Sequence, residues 1–364
     1  MSAATEAFGG TFRGRRVLLT GHTGFKGSWL ALWLQGLGAE VHGLALDPDT
    51  EPSHWQLLGL DMPDHRIDLR DAAAVAARVK AINPELVLHL AAQPLVRKSY
   101  AQPLETWSTN VMGTAHLLDA CRHAEALRAI LVVTTDKCYQ NREWCWGYRE
   151  NDALGGHDPY SASKAATEIL VASYRESFFG KPGQPLLATA RAGNVIGGGD
   201  WSADRLIPDL VRAQDAGQEL LIRAPRSTRP WQHVLESLSG YLLLAEQLLA
   251  GRASAASAWN FGPDAAGNRS VQEVLTRMQA HWPALRWQVD ATAQVHEAQL
   301  LMLDSARARS ELGWEPIWAL DQALAATAAW YQGWRSQGAD LSQRQLQAYL
   351  ADARALGRAW AGGA

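Results

Sequence analysis

Between Arg16 and Leu34 an apolar run passes through three evenly spaced glycines into a second apolar run, and few folds accept that order. Arg16-Val17-Leu18-Leu19-Thr20 has the length and composition of a buried strand. Gly21-His22-Thr23-Gly24-Phe25-Lys26-Gly27 follows, and Ser28 to Leu34 reads as a helix with little polar surface. Strand, glycine-rich turn and helix in that order form a dinucleotide site. Gly21 permits the tight turn, Gly24 lets backbone approach the pyrophosphate, and Gly27 lets helix pack on strand. The helix N-terminus then offers unpaired N–H groups to phosphate. Thr23, Phe25 and Lys26 lie in the same turn and are assigned with the glycines to the cofactor. The spacing is Gly-x-x-Gly-x-x-Gly rather than Gly-x-Gly-x-x-Gly. An ordinary loop is the alternative; the flanking strand and helix favour the cofactor.

Downstream, strands and helices alternate. Glu40 to Leu46 reads as a second strand, ending at Asp47. A carboxylate about 20 residues past the glycines accepts from both ribose hydroxyls and repels a 2′-phosphate, which argues for NAD over NADP. Ile67-Asp68-Leu69 ends a third short strand, where Asp68 could contact adenine. Leu86 to Gln93 is a fourth strand; past Leu90, the small Ala91 and Ala92 let the chain run close to a cofactor. His89 within it reads as a satisfied core histidine. Helical periodicity covers Leu104 to His123, through Asn110, and Ala129–Thr135 and Leu186–Ala192 are further strands. The alternation implies an α/β fold: a Rossmann-type, doubly wound parallel sheet with a smaller C-terminal α/β substrate-binding lobe. Such sheets bind ligands at the carboxyl ends of their strands. Gly21, Ala91, Thr135 and Asn194 all fall at such ends.

Tyr160 and Lys164 are four apart, so on a helix they share one face. A free phenol loses its proton only near pH ~10. A neighbouring ammonium favours the phenolate and makes Tyr160 usable as a base. Thr135 offers a hydroxyl to the same substrate oxygen. After residue 195 comes a loop, Gly197-Gly198-Gly199-Asp200-Trp201, then scattered arginines at Arg205, Arg223, Arg226 and Arg229. Arginine forks suit phosphate, so these four either clamp a diphosphate or face solvent.

A chain of 364 residues holds one large domain or two. The expected division is a dinucleotide domain over 1–194 with 230–262 returning to it, a substrate lobe over 195–229 and 263–340, and a C-terminal helix and tail over 341–364. That last helix is polar enough to lie on the surface. A net charge of −3 leaves no basic patch for nucleic acid or an anionic membrane. The N-terminal stretch lacks a signal peptide's apolar core, and no apolar run reaches the ~18 residues of a membrane span. Cys121, Cys138 and Cys145 form no Cys-x-x-Cys pair, which suits a reducing cytosol better than a disulfide framework or a metal site. A cytoplasmic location is expected.

Thr20-Gly21-x-x-Gly24-x-x-Gly27, Asp68-Leu69, His89-Leu90-Ala91-Ala92, Asn110, Thr135-Asp136, Tyr160-x-x-x-Lys164 and Arg191-x-x-Asn194 together resemble the extended short-chain dehydrogenase/reductases that act on nucleotide sugars. A narrower set is similar to the branch that dehydrates CDP-glucose. It comprises Gly21 to Trp29, Gln93 to Arg97, Glu143 to Asp152, Gly197 to Trp201, Arg229 to Val234, His296-Glu297-Ala298 and Leu312-Gly313-Trp314. The resemblance implies bound NAD and a CDP-glucose substrate. Tyr160 would take the C4 hydroxyl proton, Lys164 hold the phenolate and the nicotinamide ribose, and Thr135 orient the C4 oxygen; Asp68, Leu69, Leu90, Ala91, Ala92 and Asn110 would line the cofactor together with Tyr160 and Lys164. Asn194 and Arg229 would meet the pyrophosphate, with Arg205 and Arg223 beside them, and Arg97 and Ser99 the hexose. The segment from Trp144 to Asp152 would form a lid. Pairing through the helices around Leu104–His123 and Tyr160–Phe178 implies a homodimer or homotetramer. The sequence departs from many sugar-nucleotide dehydratases where they carry Asp-Glu after the threonine; here it is Asp136-Lys137. A lysine serves as a base only when burial or a nearby cation lowers its pKa. Asp136 is therefore expected as the acid at C6, with Lys137 assisting at C5. A 4-epimerase would need Tyr160, Lys164 and Thr135 but no such pair; a non-catalytic NAD sensor would need none of them.

Overall fold

The computed structural model describes residues 3–181, 183–290 and 300–362. His296-Glu297-Ala298 lies outside the described residues. The dinucleotide half contains β1 (Arg16–Thr20), α1 (Phe25–Gly36), β2 (Glu40–Ala45), α2 (His54–Leu58), β3 (Asp64–Arg66), α3 (Ala72–Ile82) and β4 (Leu86–His89). It continues through α4 (Val96–Ala101), α5 (Pro103–Trp107), α6 (Gly113–Cys121), β5 (Ala129–Val133), α7 (Pro159–Tyr174) and β6 (Leu186–Ala192). Then come β7 (Asn194–Ile196), α8 (Leu206–Asp215), β8 (Leu220–Ile222), β9 (Thr228–His233), α9 (Val234–Leu249) and β10 (Ala258–Phe261). The last elements are β11 (Asn268–Ser270), α10 (Val271–His281), β12 (Trp287–Val289), α11 (Leu320–Gln337) and α12 (Ala339–Ala355).

Seven parallel strands form the main sheet in the order β10-β6-β5-β4-β1-β2-β3. Strand order reverses between β1 and β4, where a doubly wound sheet opens its ligand crevice. The strands are apolar runs because helices cover both faces: β4 and β5 are buried along their whole lengths. The third strand ends at Arg66, before the expected Ile67–Leu69, because Asp68 leaves the ladder to bond Arg70. His89 is a core histidine, held between the hydroxyls of Thr20 (2.7 Å) and Thr114 (2.9 Å). Two small sheets, β11-β9-β7 and β12-β8, are separate from the main sheet, with β7 following directly on β6.

The C-terminal segment is not the surface helix its polarity suggests. α12 buries Ser342, Leu346, Tyr349, Leu350 and Ala353. Trp360 beyond it stacks on Phe8 at 5.1 Å, so both ends of the chain close over Trp33 of α1. Polar residues on the outer face masked this aromatic stripe. Burying each such ring is worth roughly 2–3 kcal/mol. Glu236 of α9 is wholly buried beneath the same segment and accepts from the Ile317 and Trp318 N–H groups at 3.0 and 2.7 Å and from Tyr349 at 2.9 Å. No described helix is long and apolar enough to cross a membrane.

Candidate active site

The glycine turn lies across the end of β1. Gly21 has φ +73°, and a Cβ there would meet the Ala91 backbone nitrogen at 2.6 Å. A Cβ on Gly27 would stand 2.0 Å from the Gly21 carbonyl oxygen. These contacts put α1 directly on the turn and bring Ala91 beside it. α1 starts at Gly24 with no capping side chain, so its first N–H groups are offered to a phosphate. Thr23 donates to the Leu46 carbonyl and ties the turn to the end of β2. Asp47 lies just beyond, exposed, with Arg66 at 3.4 Å. The residues present therefore fit a dinucleotide.

Several residues assigned to the cofactor and hexose are tied into the protein's own hydrogen bonds. Both Asn110 amide hydrogens are taken by protein, the Gln93 carbonyl at 3.1 Å and the Ser163 hydroxyl at 2.9 Å, and its oxygen accepts from the Gln93 N–H. It holds the chain after β4 against α7. Ser99 is wholly buried and accepts from the Tyr160 N–H at 3.2 Å, a contact that sets the start of α7. Asp68 is gripped by Arg70 at 2.5 Å and held below the usual carboxylate range by that bond. Leu69 is buried in the core.

α7 is capped by Asp158, which accepts from the Ser161 N–H, and begins on Pro159. That start carries Tyr160 and Lys164 to the end of β5. Thr135 hydrogen-bonds the Tyr160 phenol, and burial pushes that phenol up to about 12. Thr135 and Arg205 favour its ionised form; Asp136 and Asp158 oppose it. Lys164 lies one turn further along α7. Its ammonium donates to the Val133 carbonyl at 3.2 Å, and burial brings it down to about 8.

β5 ends at Val133, and Asp136–Cys138 form a 3-10 turn capped by Thr135. Strand alternation therefore stops before Asp136, which shares the site with Thr135. Asp136 is wholly buried; its Oδ1 accepts from the Thr135 hydroxyl at 3.0 Å, with the Lys137 ammonium at 3.7 Å. Its Oδ2 has no partner among the described residues and faces Gly193, where a Cβ would stand 3.2 Å away. Arg205 pairs with Asp200 at 2.9 Å, and its charge reaches both Tyr160 and Lys26. Arg97 pairs with Asp204 at 2.8 Å on the rim. Asn194 opens β7 and Arg229 lies in the adjacent β9. Arg223 is exposed after β8. In the segment from Trp144 to Asp152, Tyr148 is buried between Trp144 and Tyr139, while Trp146 is exposed.

Two residues were missed. Glu168 continues the four-residue spacing of Tyr160 and Lys164 on the inner face of α7, a repeat the sequence displays. It is buried and bonded to Thr134, Thr189 and Arg191. Asp200, also buried, fixes Arg205 and accepts through its carbonyl from Tyr331. Among the described residues, no group of three His, Cys, Asp or Glu is placed to hold a metal ion.

This crevice, with its Tyr-x-x-x-Lys pair facing a glycine turn, defines a Rossmann-fold enzyme of the short-chain dehydrogenase/reductase class. Residues 18–327 match the family described as GDP-mannose 4,6 dehydratase, and the chain belongs to that family. It is 46% identical to the CDP-glucose 4,6-dehydratase of Salmonella typhimurium over 93% of this chain and 97% of that one. It is 30% identical to the dTDP-glucose 4,6-dehydratase of Streptomyces griseus, over 88% and 95% of the two chains. Among solved structures, it superposes on the dTDP-glucose 4,6-dehydratase of Streptomyces venezuelae, with NAD and TYD bound, at a TM-score of 0.73 and 25% identity, over 90% of this chain and 99% of that one. A UDP-glucose 4-epimerase from Stenotrophomonas maltophila shares the fold at a TM-score of 0.77 and 22% identity, over 88% and 99%.

Proposed function

We propose that this chain is an NAD-dependent CDP-glucose 4,6-dehydratase that converts CDP-glucose to CDP-4-keto-6-deoxyglucose and water. One observation carries elimination over epimerisation: a buried carboxylate, Asp136, with one oxygen unpartnered, sits beside the Tyr160 and Thr135 hydroxyls. An epimerase has no use for an acid there. The near-full-length similarity to the Salmonella typhimurium enzyme supports the CDP-glucose assignment.

Bound NAD+ supplies the acceptor for the C4 hydride, which returns to C6. The chain's own residues do the rest. Tyr160 takes the C4 hydroxyl proton, and Thr135 holds that oxygen. The resulting ketone acidifies C5; Lys137, entering uncharged, takes the C5 proton as the C5–C6 double bond forms, Asp136 gives a proton to the C6 oxygen as the C6–O bond breaks, and Lys137 returns the proton to C5 once hydride has reached C6. Asn194, Arg205 and Arg229 serve the diphosphate, and Arg97 stands at the hexose rim. The segment from Trp144 to Asp152 covers the site and excludes water. Incubation with CDP-glucose and catalytic NAD+, followed by mass spectrometry, should show loss of one water. Unchanged mass with altered stereochemistry would indicate a 4-epimerase, and no change at all a sensor.

The active form is a cytoplasmic homodimer or homotetramer. Support comes from the outer faces of α5 and α7 and the turn after α7, which expose Leu104, Trp107, Ile169 and Phe178. Sedimentation equilibrium should return at least twice the chain mass, and Leu104→Glu with Ile169→Glu should return one chain. A wild-type monomer at micromolar concentration would refute this assembly.

A further inference from the structure

Gly197-Gly198-Gly199-Asp200-Trp201 has no part in the chemistry above, yet the fold is moulded to its shape. A Cβ on Gly198 would stand 1.9 Å from the Trp330 ring of α11, and one on Gly199, at φ +83°, 2.5 Å from the His54 ring. Trp29 of α1 donates to the Gly198 carbonyl at 2.9 Å. Trp201 packs edge to face on Trp330 and Trp334, at 5.5 and 5.2 Å. Burial of aromatic rings accounts for most of this packing. One contact it does not account for. Tyr331 is buried among the same rings, where a phenylalanine would pack as well, and its hydroxyl donates to the Asp200 carbonyl. Asp200 is itself buried. Its Oδ1 accepts from the Ser202 N–H at 3.0 Å and its Oδ2 from the Arg205 guanidinium at 2.9 Å. Arg205 stands at the start of α8, and its other guanidinium nitrogens bond nothing else among the described residues. Two successive hydrogen bonds therefore lead from α11 to an arginine of the site.

We propose that Tyr331 is a positioning residue for the substrate's diphosphate: by fixing Asp200 it holds Arg205 in the orientation that grips a nucleoside diphosphate. The inference rests on the assignment of Arg205 to the diphosphate made above. A long arginine stem loses rotamer freedom when it grips a ligand, and holding it beforehand removes that cost from binding. The Tyr331 hydroxyl is spent on a carbonyl of its own chain and moves no proton in the reaction. Its contribution is to substrate affinity, made through Arg205, and not to the rate of the bound complex.

The test is a double-mutant cycle on binding: wild type, Tyr331→Phe, Arg205→Gln and the double variant, each saturated with NAD+ and titrated with CDP and with CMP by calorimetry. CMP has a single phosphate and serves as the control. Tyr331→Phe should weaken CDP roughly threefold to tenfold and raise KM for CDP-glucose in step, as expected for one lost hydrogen bond. Affinity for CMP and NAD+, and kcat at saturating CDP-glucose, should hold within about twofold. Arg205→Gln should weaken CDP about 10- to 10²-fold. In the double variant the Tyr331 effect should vanish, because no guanidinium is left to place. Unchanged CDP affinity in Tyr331→Phe overturns the proposal. So does a loss that falls equally on CMP, or one that persists undiminished beside Arg205→Gln; both leave the Arg205 assignment standing. Arg205→Gln binding CDP like the parent removes Arg205 from the diphosphate, and the proposal falls with that assignment. Should Tyr331→Phe not fold, Asp200→Asn takes its place in the cycle, with the same expected and overturning results. A wild type that binds neither CDP nor CDP-glucose overturns the functional reading and the proposal with it.

Discussion

Tyr160→Phe is expected to abolish NADH formation, whereas Asp136→Asn is expected to form NADH and stop there. The two variants divide the reaction at its midpoint. Phenylalanine keeps the ring packed at the start of α7 but removes the hydroxyl that Thr135 bonds. Without it the C4 proton has no acceptor, and the first turnover should slow by ~10²–10⁴-fold. Asparagine at 136 keeps the contact with Thr135 but cannot deliver a proton. Oxidation at C4 then proceeds, and the keto-sugar retains its C6 hydroxyl. Stopped-flow absorbance of NADH with mass analysis of the quenched sugar separates the outcomes. Asp136→Asn should bind NAD+ like the parent, since Asp136 is not part of the glycine turn. Water loss at the normal rate from Asp136→Asn would remove Asp136 from the mechanism.

The dinucleotide half was readable because its signals are local. β1 and β6 fall where the apolar runs place them, and the glycine spacing needs only the two flanking elements to be interpreted. The reach of a side chain was not readable. Nothing in the sequence says that Lys26 turns toward α9, that Ser99 lies under the Tyr160 N–H, or that Lys164 bonds Val133. Each depends on elements more than 30 residues apart in sequence meeting at one point, and hydrophobic periodicity carries no such information. The small strands β7, β8 and β9 are not legible, and β11 and β12 only as short strands without bounds, for another reason. They are three to six residues long, and their burial comes from the lobe they build rather than from their own alternation. The end of β5 mattered most: a strand one turn longer would have faced Asp136 away from Thr135.

Arg191→Met is expected to cost about 3–5 kcal/mol of folding stability, the largest effect away from the reacting atoms. Arg191 and Glu168 are both nearly sealed from water and pair at 2.9 Å through two guanidinium nitrogens. Glu168 also accepts from the Thr134 and Thr189 hydroxyls, while Arg191 donates to the Tyr139 hydroxyl at 2.7 Å and the Glu150 carbonyl at 3.1 Å. The pair therefore joins β5, β6 and α7 to the segment over the site. Methionine matches the bulk of the arginine stem but leaves a carboxylate buried without its cation. In the parent, the bonds from Arg191 hold Glu168 below the usual carboxylate range. Its contribution is thus present above the unfolded value of ~4.3 and lost as pH falls through the lower folded value. In the variant the Arg191 bonds and charge are gone, and burial, opposed by the Thr134 and Thr189 hydroxyls, shifts that carboxyl upward from its place in the parent. Protonation then relieves the variant, so the gap between variant and parent should narrow as pH falls from 7 toward 5. Glu168→Gln in the same chain should recover part of the loss, because no unpaired charge is left. Urea unfolding at the two pH values measures all three chains. A loss below about 1 kcal/mol, or a gap that widens in acid, would mean that the pair does not anchor this part of the fold.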